Sequence, residues 1–350
     1  MDWKVKLTGH IIPDGGALWM VSSGAEAGFR VVGAKRLCLK LLGDDTVADP
    51  AAEPLRPRYA VRLDGKKITD ARLSQAETVV TVFEGEEPRD AEVRLIKLSE
   101  GSQSVMALAG ILTDGRTEPL PAKALKIEFI GDSITCGYGV EGKSELETFT
   151  TATENLEKSY AGLTAAALDA DAVYTCFSGH GIVSGYTGDP AVRNEEELLP
   201  PFYEKKGRNE FRLPSGRTVR ETGRDFSDFR PDYIVLNLGT NDLSWCGTDR
   251  QRGELFAREY ACFLTTVRRN NPGARILCVL GVMGTGLNGA VERAAEEWRR
   301  ETGDRELRVL LTEEQDAARD GYGSDFHPSE ATQRLLAGKV TEAIRGWMET

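Results

Sequence analysis

The stretch of sequence that decides the fold is KIEFIGDSITCGYGV, Lys126–Val140. Its apolar, β-branched segment at 127–130 is typical of a buried strand, and that segment stops at Gly131-Asp132-Ser133. Because ligands in open α/β sheets bind beyond the carboxyl ends of the strands, Ser133 stands where chemistry is expected. The alternative is that Ser133 only caps the next helix, as serine often does. This stretch alone favours neither interpretation.

From about residue 121 to residue 350, strand-like and helical patterns alternate. The strand candidates are 124–130, 172–177, 232–238, 274–281 and 306–311, and the helix candidates lie near 153–168, 250–270, 288–301 and 330–348. Alternation of this kind predicts a parallel sheet with helices on both faces. We therefore expect a three-layer, flavodoxin-like α/β domain over 121–350.

Residues 1–120 show a different pattern. Short apolar segments are separated by turn signals, and they lie at 29–32, 37–41, 59–63, 78–82 and 91–95. Evenly spaced strands without a long helix predict an antiparallel, all-β sandwich domain. The turn-rich segment at 113–121 predicts the boundary between the two domains.

The polar segment 201–230 interrupts the alternation of the second domain. A lid over the site is one interpretation of this segment. Its composition favours the other interpretation, which is a solvated surface loop.

Composition and charge argue against several classes of function. The net charge of −11 disfavours nucleic acid or an anionic membrane as a partner. The six cysteines form no CxxC pair and no Cys/His cluster, so we expect neither a disulfide framework nor a metal site. No apolar stretch reaches the length of a membrane span, and the first ten residues do not resemble a signal peptide. These features predict a cytoplasmic protein, or an extracellular one if a leader has been removed.

Three later motifs fall at the ends of predicted elements. SGHG at 178–181 follows the second strand, GTND at 239–242 follows the third, and SDFHPS at 324–329 precedes the last helix. Since the carboxyl ends of parallel strands meet at one edge of a sheet, we expect the first two motifs to lie near Ser133.

These motifs contain the parts of a serine esterase. A serine hydroxyl is a weak nucleophile until a base takes its proton, and His327 is the candidate base for Ser133. A tetrahedral intermediate needs donors aimed at its oxyanion. The backbone N–H groups of Ser133 and Gly179 and the side-chain amide of Asn241 are the candidate donors.

The four blocks GDSIT, SG, GTND and DxHP occur along the chain in the order that the SGNH (GDSL-type) hydrolases show, and the second domain resembles that family. The longer strings KIEFIGDSITCGYG, TENLEKSYAGLTAAAL, SGHGI, PDYIVLNLGTND and DFHPS are similar to carbohydrate esterase family 2. Members of that family place a jelly-roll β-sandwich before the hydrolase domain. The segment VRLIKLSEGSQSVMALAGILTDG, 93–115, resembles the end of that sandwich, so the resemblance covers nearly the full chain.

The resemblance implies a deacetylase that acts on O-acetylated sugars, typically xylan-type oligo- or polysaccharides. It implies Ser133 as the nucleophile and His327 as the general base. Gly179 and Asn241 would be oxyanion donors together with the Ser133 N–H. It implies neither a metal nor an organic cofactor.

The acid that orients the histidine departs from the superfamily pattern. The usual DxxH element would place an aspartate where this chain has Ser324, and the nearest acid, Asp325, lies only two residues before His327. Asp325 is the candidate third catalytic residue, because such an acid fixes the imidazole tautomer and stabilises its cation. The alternative is a Ser-His dyad in which a backbone carbonyl orients the ring, as some members of the family have.

Two further residues are candidate substrate contacts. His180, beside the oxyanion turn, is expected to form a wall of the pocket rather than to act as a catalyst. Trp245, just after GTND, either stacks on a sugar ring or is buried in the core, and Tyr138 allows the same two interpretations. Asp132 and Asp242 are expected to brace their loops by accepting hydrogen bonds from backbone N–H groups.

Two other functions stay open on the sequence. One is a lysophospholipase- or arylesterase-like GDSL hydrolase with a roomier acyl site. The other is a carbohydrate-binding protein with an inactive hydrolase domain, against which the intact Ser133, Asn241 and His327 argue.

Overall fold

The structure is a computed structural model that describes residues 3–349. An antiparallel sheet occupies the chain up to residue 119, and a parallel sheet with helices begins at residue 125. Each sheet has an apolar core of its own.

Nine strands form the N-terminal sheet: β1 (Lys6–Thr8), β2 (Ile11–Asp14), β3 (Ala17–Met20), β4 (Glu26–Gly43), β5 (Arg58–Leu63), β6 (Lys66–Arg72), β7 (Glu77–Lys97), β8 (Met106–Thr113) and β9 (Arg116–Pro119). The long strands β4 and β7 pair with each other, and register shifts in this pairing bend them. The sheet therefore curls around its core, which confirms the predicted jelly-roll-like all-β architecture. The predicted segments 29–32 and 37–41 belong to one strand, as do 78–82 and 91–95, because bulges bend the chain there without a turn.

Five parallel strands form the second sheet: β10 (Leu125–Gly131), β11 (Ala170–Cys176), β12 (Tyr233–Asn237), β13 (Arg275–Leu280) and β14 (Leu307–Leu311). Their order is β11-β10-β12-β13-β14, so the chain reverses direction across the sheet at β10. In doubly wound sheets of this order, ligands bind in the crevice at that switch point. This confirms the flavodoxin-like prediction and places the end of β10 at the expected site.

Helices cover both faces of the parallel sheet: α1 (Ser133–Cys136), α2 (Tyr160–Ala167), α3 (Thr240–Cys246), α4 (Arg250–Asn270), α5 (Asn288–Thr302), α6 (Ala317–Asp320) and α7 (Glu330–Met348). Alternate residues of β12 point to opposite faces: Ile234 packs in the core under α4 and α5, and Val235 packs in the core under α2 and α7. Helix α2 starts later than predicted because Ser159 caps it, its hydroxyl accepting the Gly162 N–H. Within residues 3–349, no helix combines the length and the apolar composition needed to cross a bilayer.

Main-chain and side-chain hydrogen bonds join the two sheets. Nη1 of Arg58, on β5, donates to the carbonyl oxygens of Ala152 at 2.8 Å and Glu154 at 3.1 Å. The Leu156 N–H donates to the carbonyl oxygen of Leu98 at 3.1 Å, just after β7. The end of β7 is therefore held directly against the segment that follows the nucleophile loop.

The segment 201–230 is a strap between the two sheets, and its interpretation as a solvated surface loop is wrong. Leu213 and Val219 are buried and pack against Trp19 of the N-terminal sheet. At the other end of the strap, Arg224 forms an ion pair with Glu128 of β10 at 2.5 Å, and both side chains are almost completely buried. The many polar residues in this segment misled the prediction, because its few apolar residues carry the packing.

Candidate active site

Ser133 lies directly after the central strand of the parallel sheet. It is the first residue of α1, and the helix is capped by Asp132, whose Oδ1 accepts the Ile134 N–H at 3.0 Å. The cap is therefore Asp132 and not Ser133, which leaves the Ser133 hydroxyl for another partner. Only glycine fits before this turn: a Cβ on Gly131 would stand 2.1 Å from Oγ1 of Thr135.

The three predicted oxyanion residues follow adjacent strand ends. Gly131, at the end of β10, is in register with Cys176 of β11 and Asn237 of β12, so the turns after these strands leave the sheet side by side. Gly179 has φ +78, a backbone conformation that glycine adopts without strain. Nδ2 of Asn241 donates to the His180 carbonyl oxygen at 2.9 Å, which ties the Asn241 side chain to the Gly179 turn.

His327 contacts Ser133 through a short hydrogen bond. The two atoms, His327 Nε2 and Ser133 Oγ, are 2.8 Å apart. The other ring nitrogen, Nδ1, lies 3.0 Å from the backbone carbonyl oxygen of Asp325. A carbonyl oxygen only accepts, so Nδ1 carries the hydrogen and Nε2 presents its lone pair to the Ser133 hydroxyl. This tautomer is the one that a general base requires.

The Asp325 carboxylate does not orient His327, which corrects its assignment as the side chain of a third catalytic residue. Its Oδ2 instead accepts the Tyr138 hydroxyl at 2.9 Å and the Phe149 N–H at 3.3 Å. Asp325 has φ 49 and Phe326 has φ 60, a left-handed conformation that is costly for side-chain-bearing residues. This backbone conformation turns the Asp325 carbonyl toward the ring, so the arrangement is that of a Ser-His dyad.

Tyr138, for which the sequence allows two interpretations, packs against the base. Its ring lies 3.7 Å from the Phe149 ring, nearly parallel to it, and 4.2 Å from the His327 ring. With its hydroxyl on Asp325, Tyr138 thus touches both the base and the residue whose carbonyl orients the base. No sequence signal identifies this role, because Tyr138 and Asp325 are 187 positions apart.

Burial favours the neutral form of His327. Burial lowers its pKa below the ordinary value of 6.5, and the contacts with the Asp325 carbonyl and the charges of Asp325 and Glu100 partly oppose this effect. A neutral imidazole is able to accept the serine proton over a wide pH range.

Two buried aspartates brace the loops, as the sequence analysis expected. Asp242 accepts the backbone N–H groups of Ile182, Val183 and Ser184, all immediately after the Gly179 turn. Burial raises the pKa of Asp132 to about 7 and that of Asp242 to about 6.

The two predicted substrate contacts have different surroundings. The His180 ring is 0% exposed and Nδ1 lies 2.9 Å from the Ser178 carbonyl oxygen, so the ring does not line an open surface in this structure. Burial lowers its pKa to about 4. Trp245 is half-buried at the end of α3, with the guanidinium groups of Arg193 and Arg252 5.3 and 4.6 Å from its ring centroid. A sugar contact by Trp245 stays a prediction.

Two exposed aromatic residues flank the site and were not predicted. Phe326, directly before His327, is 54% exposed, and Tyr186 is 62% exposed. The Tyr186 N–H donates to the carbonyl oxygen of Gly179 at 2.8 Å, which fixes it beside the oxyanion turn. The position of Phe326 inside the SDFHPS motif is a sequence signal that could have found it, whereas the exposure of Tyr186 is visible only in the structure.

One group of side chains has the spacing of a metal site. Glu100, Cys136 and Glu154 are buried, and each offers a ligand atom within 4.8 Å of the others; among residues 3–349 this is the one such group. Protein donors already contact both carboxylates: the Ser178 N–H donates to Glu100, and the Glu100 N–H donates to Glu154. The buried ammonium of Lys97 adds a positive charge to the cluster. Both carboxylates therefore belong to a buried hydrogen-bonded cluster, in which Oε1 of Glu154 is the carboxylate oxygen without a hydrogen-bond partner in the described part of the chain.

Comparison with known proteins finds relatives that are named as esterases. Residues 129–335 match the model of the GDSL-like Lipase/Acylhydrolase family. The chain is 40% identical over 231 residues to the cellulase/esterase CelE of Acetivibrio thermocellus, covering 63% of this chain and 26% of that protein. It is 28% identical over 292 residues to an acetylxylan esterase / glucomannan deacetylase of Cellvibrio japonicus, covering 83% of this chain and 76% of that protein.

A solved structure is similar along nearly the whole length. It is a family two carbohydrate esterase from Clostridium thermocellum in complex with cellohexaose, with a TM-score of 0.83, 28% identity, and coverage of 99% of both chains. The chain therefore belongs to the GDSL-like lipase/acylhydrolase family, and within it to the carbohydrate esterases of family 2.

Proposed function

We propose that this protein is a serine esterase that removes O-acetyl groups from acetylated carbohydrates of the xylan type. The observation that carries the proposal is the 2.8 Å contact between Ser133 Oγ and His327 Nε2, in the tautomer that a base requires. The acetyl group and the sugar come from the likeness to an acetylxylan esterase / glucomannan deacetylase and to a carbohydrate esterase.

The reaction would proceed by two acyl transfers. Ser133 Oγ attacks the acetyl carbonyl carbon while Nε2 of His327 takes the hydroxyl proton. The oxyanion of the tetrahedral intermediate accepts hydrogen bonds from the N–H groups of Ser133 and Gly179 and from the Asn241 amide. His327 then gives its proton to the departing sugar oxygen, and an acetyl-enzyme remains. A water molecule, deprotonated by His327, releases acetate and restores the serine.

The oxyanion donors have support in the local structure. The Ser133 N–H is at the first position of α1, where helices leave N–H groups without an intrahelical partner. Asn241 has one amide hydrogen fixed on the His180 carbonyl oxygen at 2.9 Å. The second amide hydrogen is donated to Asp132 Oδ2 over a longer distance, 3.3 Å, and a substrate oxyanion would take the place of this weaker partner.

The exposed aromatic residues support a carbohydrate as the substrate. Phe326 directly precedes His327, the Tyr186 N–H is bonded to the Gly179 carbonyl oxygen, and both side chains are more than half exposed. Exposed aromatic rings pack well against the C–H faces of pyranose rings.

The test is replacement of Ser133 by alanine in the full chain. We expect Ser133→Ala to lower kcat for acetate release from acetylated xylo-oligosaccharides by about 10⁴-fold or more, with an unchanged thermal midpoint. A Ser133→Ala variant that retains wild-type turnover would overturn the mechanism. The assay measures the released acetate itself and needs no chromogenic substrate.

A second measurement separates this proposal from a lipase- or arylesterase-like activity. Nitrophenyl esters of increasing acyl length are compared by kcat/KM. Acetate should be the best acyl group, and activity that peaks at octanoate would favour the roomier acyl site of the alternative.

A further inference from the structure

The strongest unexplained contact near the site comes from the other sheet. Glu100 lies in the loop between β7 and β8 of the N-terminal sheet, and its side chain is fully buried. Its Oε2 accepts the backbone N–H of Ser178 at 2.9 Å. Ser178 directly precedes Gly179, the oxyanion residue. A carboxylate of one sheet therefore holds the catalytic turn of the other.

The same carboxylate oxygen also contacts the nucleophile helix. Cys136 Sγ, at the end of α1, lies 3.6 Å from Glu100 Oε2 and donates to it. Ser133 begins that helix and Cys136 ends it. Glu100 thus contacts both the element that carries the nucleophile and the turn that carries an oxyanion donor.

Glu100 is itself fixed from several directions. Its other oxygen, Oε1, accepts the Gln103 amide at 3.0 Å, and its carbonyl oxygen accepts the Lys97 ammonium at 3.0 Å. Its backbone N–H donates to Oε2 of Glu154, on the hydrolase side, at 3.0 Å. A buried carboxylate with this many donors has one defined position, and a defined position is what a residue needs in order to place another group accurately.

We propose that Glu100 is a positioning residue that sets the separation between the Ser133 hydroxyl and the Gly179 oxyanion donor. The proposal rests on the proposed esterase function and adds to it a role for the N-terminal sheet, which would complete the active site as well as pack against it. Glu100 acts through Ser178 and Cys136 and does not touch the reacting atoms. A displacement of about 1 Å in a catalytic group costs up to 10²-fold in rate.

Two variants distinguish an effect of the side-chain length of Glu100 from an effect of its negative charge. Glu100→Gln keeps the length of the side chain and an acceptor oxygen for the Ser178 N–H. The new NH₂ group also has an acceptor, because the Gln103 amide is able to rotate and present its oxygen. Glu100→Asp keeps the negative charge beside Lys97 but withdraws the carboxylate by one methylene. If position matters, we expect Glu100→Asp to lower kcat about 30-fold or more with KM within threefold, and Glu100→Gln to stay within about threefold of wild type.

Lys6→Met supplies the matched control. Lys6 also joins the N-terminal sheet to the parallel sheet, through Asp171 at 2.5 Å, but at the start of β11, away from the catalytic turns. The Lys6→Met variant should have a lower thermal midpoint than the wild type and an unchanged kcat. Loss of kcat in Glu100→Gln equal to that in Glu100→Asp, or wild-type kcat in both, would overturn the proposal.

A second assay does not depend on the choice of sugar. A phosphonate ester that modifies active serines places its phosphoryl oxygen where the oxyanion forms, and intact-protein mass spectrometry follows the reaction. The phosphonylation rate should fall in Glu100→Asp and not in Glu100→Gln or Lys6→Met. If the wild-type chain neither releases acetate nor is phosphonylated at Ser133, the proposed esterase function fails. If the wild type reacts and Glu100→Asp reacts equally fast, only the positioning role fails.

Discussion

The loop that carries Ser133 and the loop that carries His327 meet at one hydrogen bond but are built differently. Ser133 follows a buried strand directly, at a turn in which Asp132 caps the helix and Gly131 has no room for a side chain. His327 lies in a loop in which the two preceding residues, Asp325 and Phe326, are exposed and left-handed. The sheet therefore fixes the nucleophile, whereas hydrogen bonds from Tyr138 and Phe149 hold Asp325, the residue that orients the base. Changes near His327 should reduce activity with little loss of stability.

The largest expected effect concerns the backbone at position 325. Proline holds φ near −65° and cannot adopt the observed value of 49, so Asp325→Pro turns the carbonyl away from Nδ1 of His327. We expect a loss of about 10²-fold or more in kcat. Asp325→Asn keeps the carbonyl and tolerates the left-handed conformation, so its kcat should fall less than about tenfold.

The measurement is acetate release by both Asp325 variants, with circular dichroism to verify folding. In enzymes whose carboxylate orients the histidine, the asparagine replacement costs about 10⁴-fold. A loss of that size in Asp325→Asn would show that the carboxylate orients His327 during catalysis, contrary to the geometry described above.

A smaller effect is expected at Tyr138. Tyr138→Phe keeps the ring contact with His327 but loses the hydrogen bond to the Asp325 carboxylate, and such a bond to a charged group contributes about 1.5 kcal/mol. Since the loop is partly exposed, we expect about a fivefold loss of kcat. Phe149→Leu is the control, because it leaves the Tyr138 hydroxyl and the Tyr138–His327 contact in place. Equal losses in the two variants would assign the effect to general packing.

The smallest effect is a shift in pH dependence. His327 must be neutral to accept a proton, and burial lowers its pKa, so the acidic limb of kcat/KM should have its midpoint below pH 6.5. The charge of Asp325 raises this pKa, so its removal in Asp325→Asn should move the limb to still lower pH. The Glu100 charge also raises this pKa and is present in both proteins. A limb that moves to higher pH in Asp325→Asn would contradict this assignment.

Three of the four site residues that the sequence predicted lie at strand ends, and the fourth, His327, was predicted from the DxHP motif before α7. Ser133, Gly179 and Asn241 follow three adjacent strands, and the order of the strands brings their turns together. The apolar segments that predict the strands therefore also predict that these three residues lie close together in the fold.

The parts that escaped prediction depend on backbone dihedral angles or on distant pairs. The sequence allowed either the Asp325 carboxylate or a backbone carbonyl to orient His327. The positive φ at residues 325 and 326 decides for the Asp325 carbonyl, and the motif does not specify those angles. Tyr138 and Glu100 meet their partners across 187 and 78 positions of sequence. The bent strands of the first sheet were predicted as pairs of short ones, because a bulge leaves a weaker signature than a turn.

The strap has a consequence for recombination of this protein. It is encoded within the hydrolase half, yet Val219 and Leu213 fill the surface of the N-terminal sheet while Arg224 is buried against β10. A chimera that exchanges residues 1–120 for the sandwich of a homologue would leave this strap facing a foreign surface. A transplantable module must therefore include two segments of the chain, the sandwich and the strap. These segments are not contiguous, because strands and helices of the hydrolase domain lie between them in the sequence.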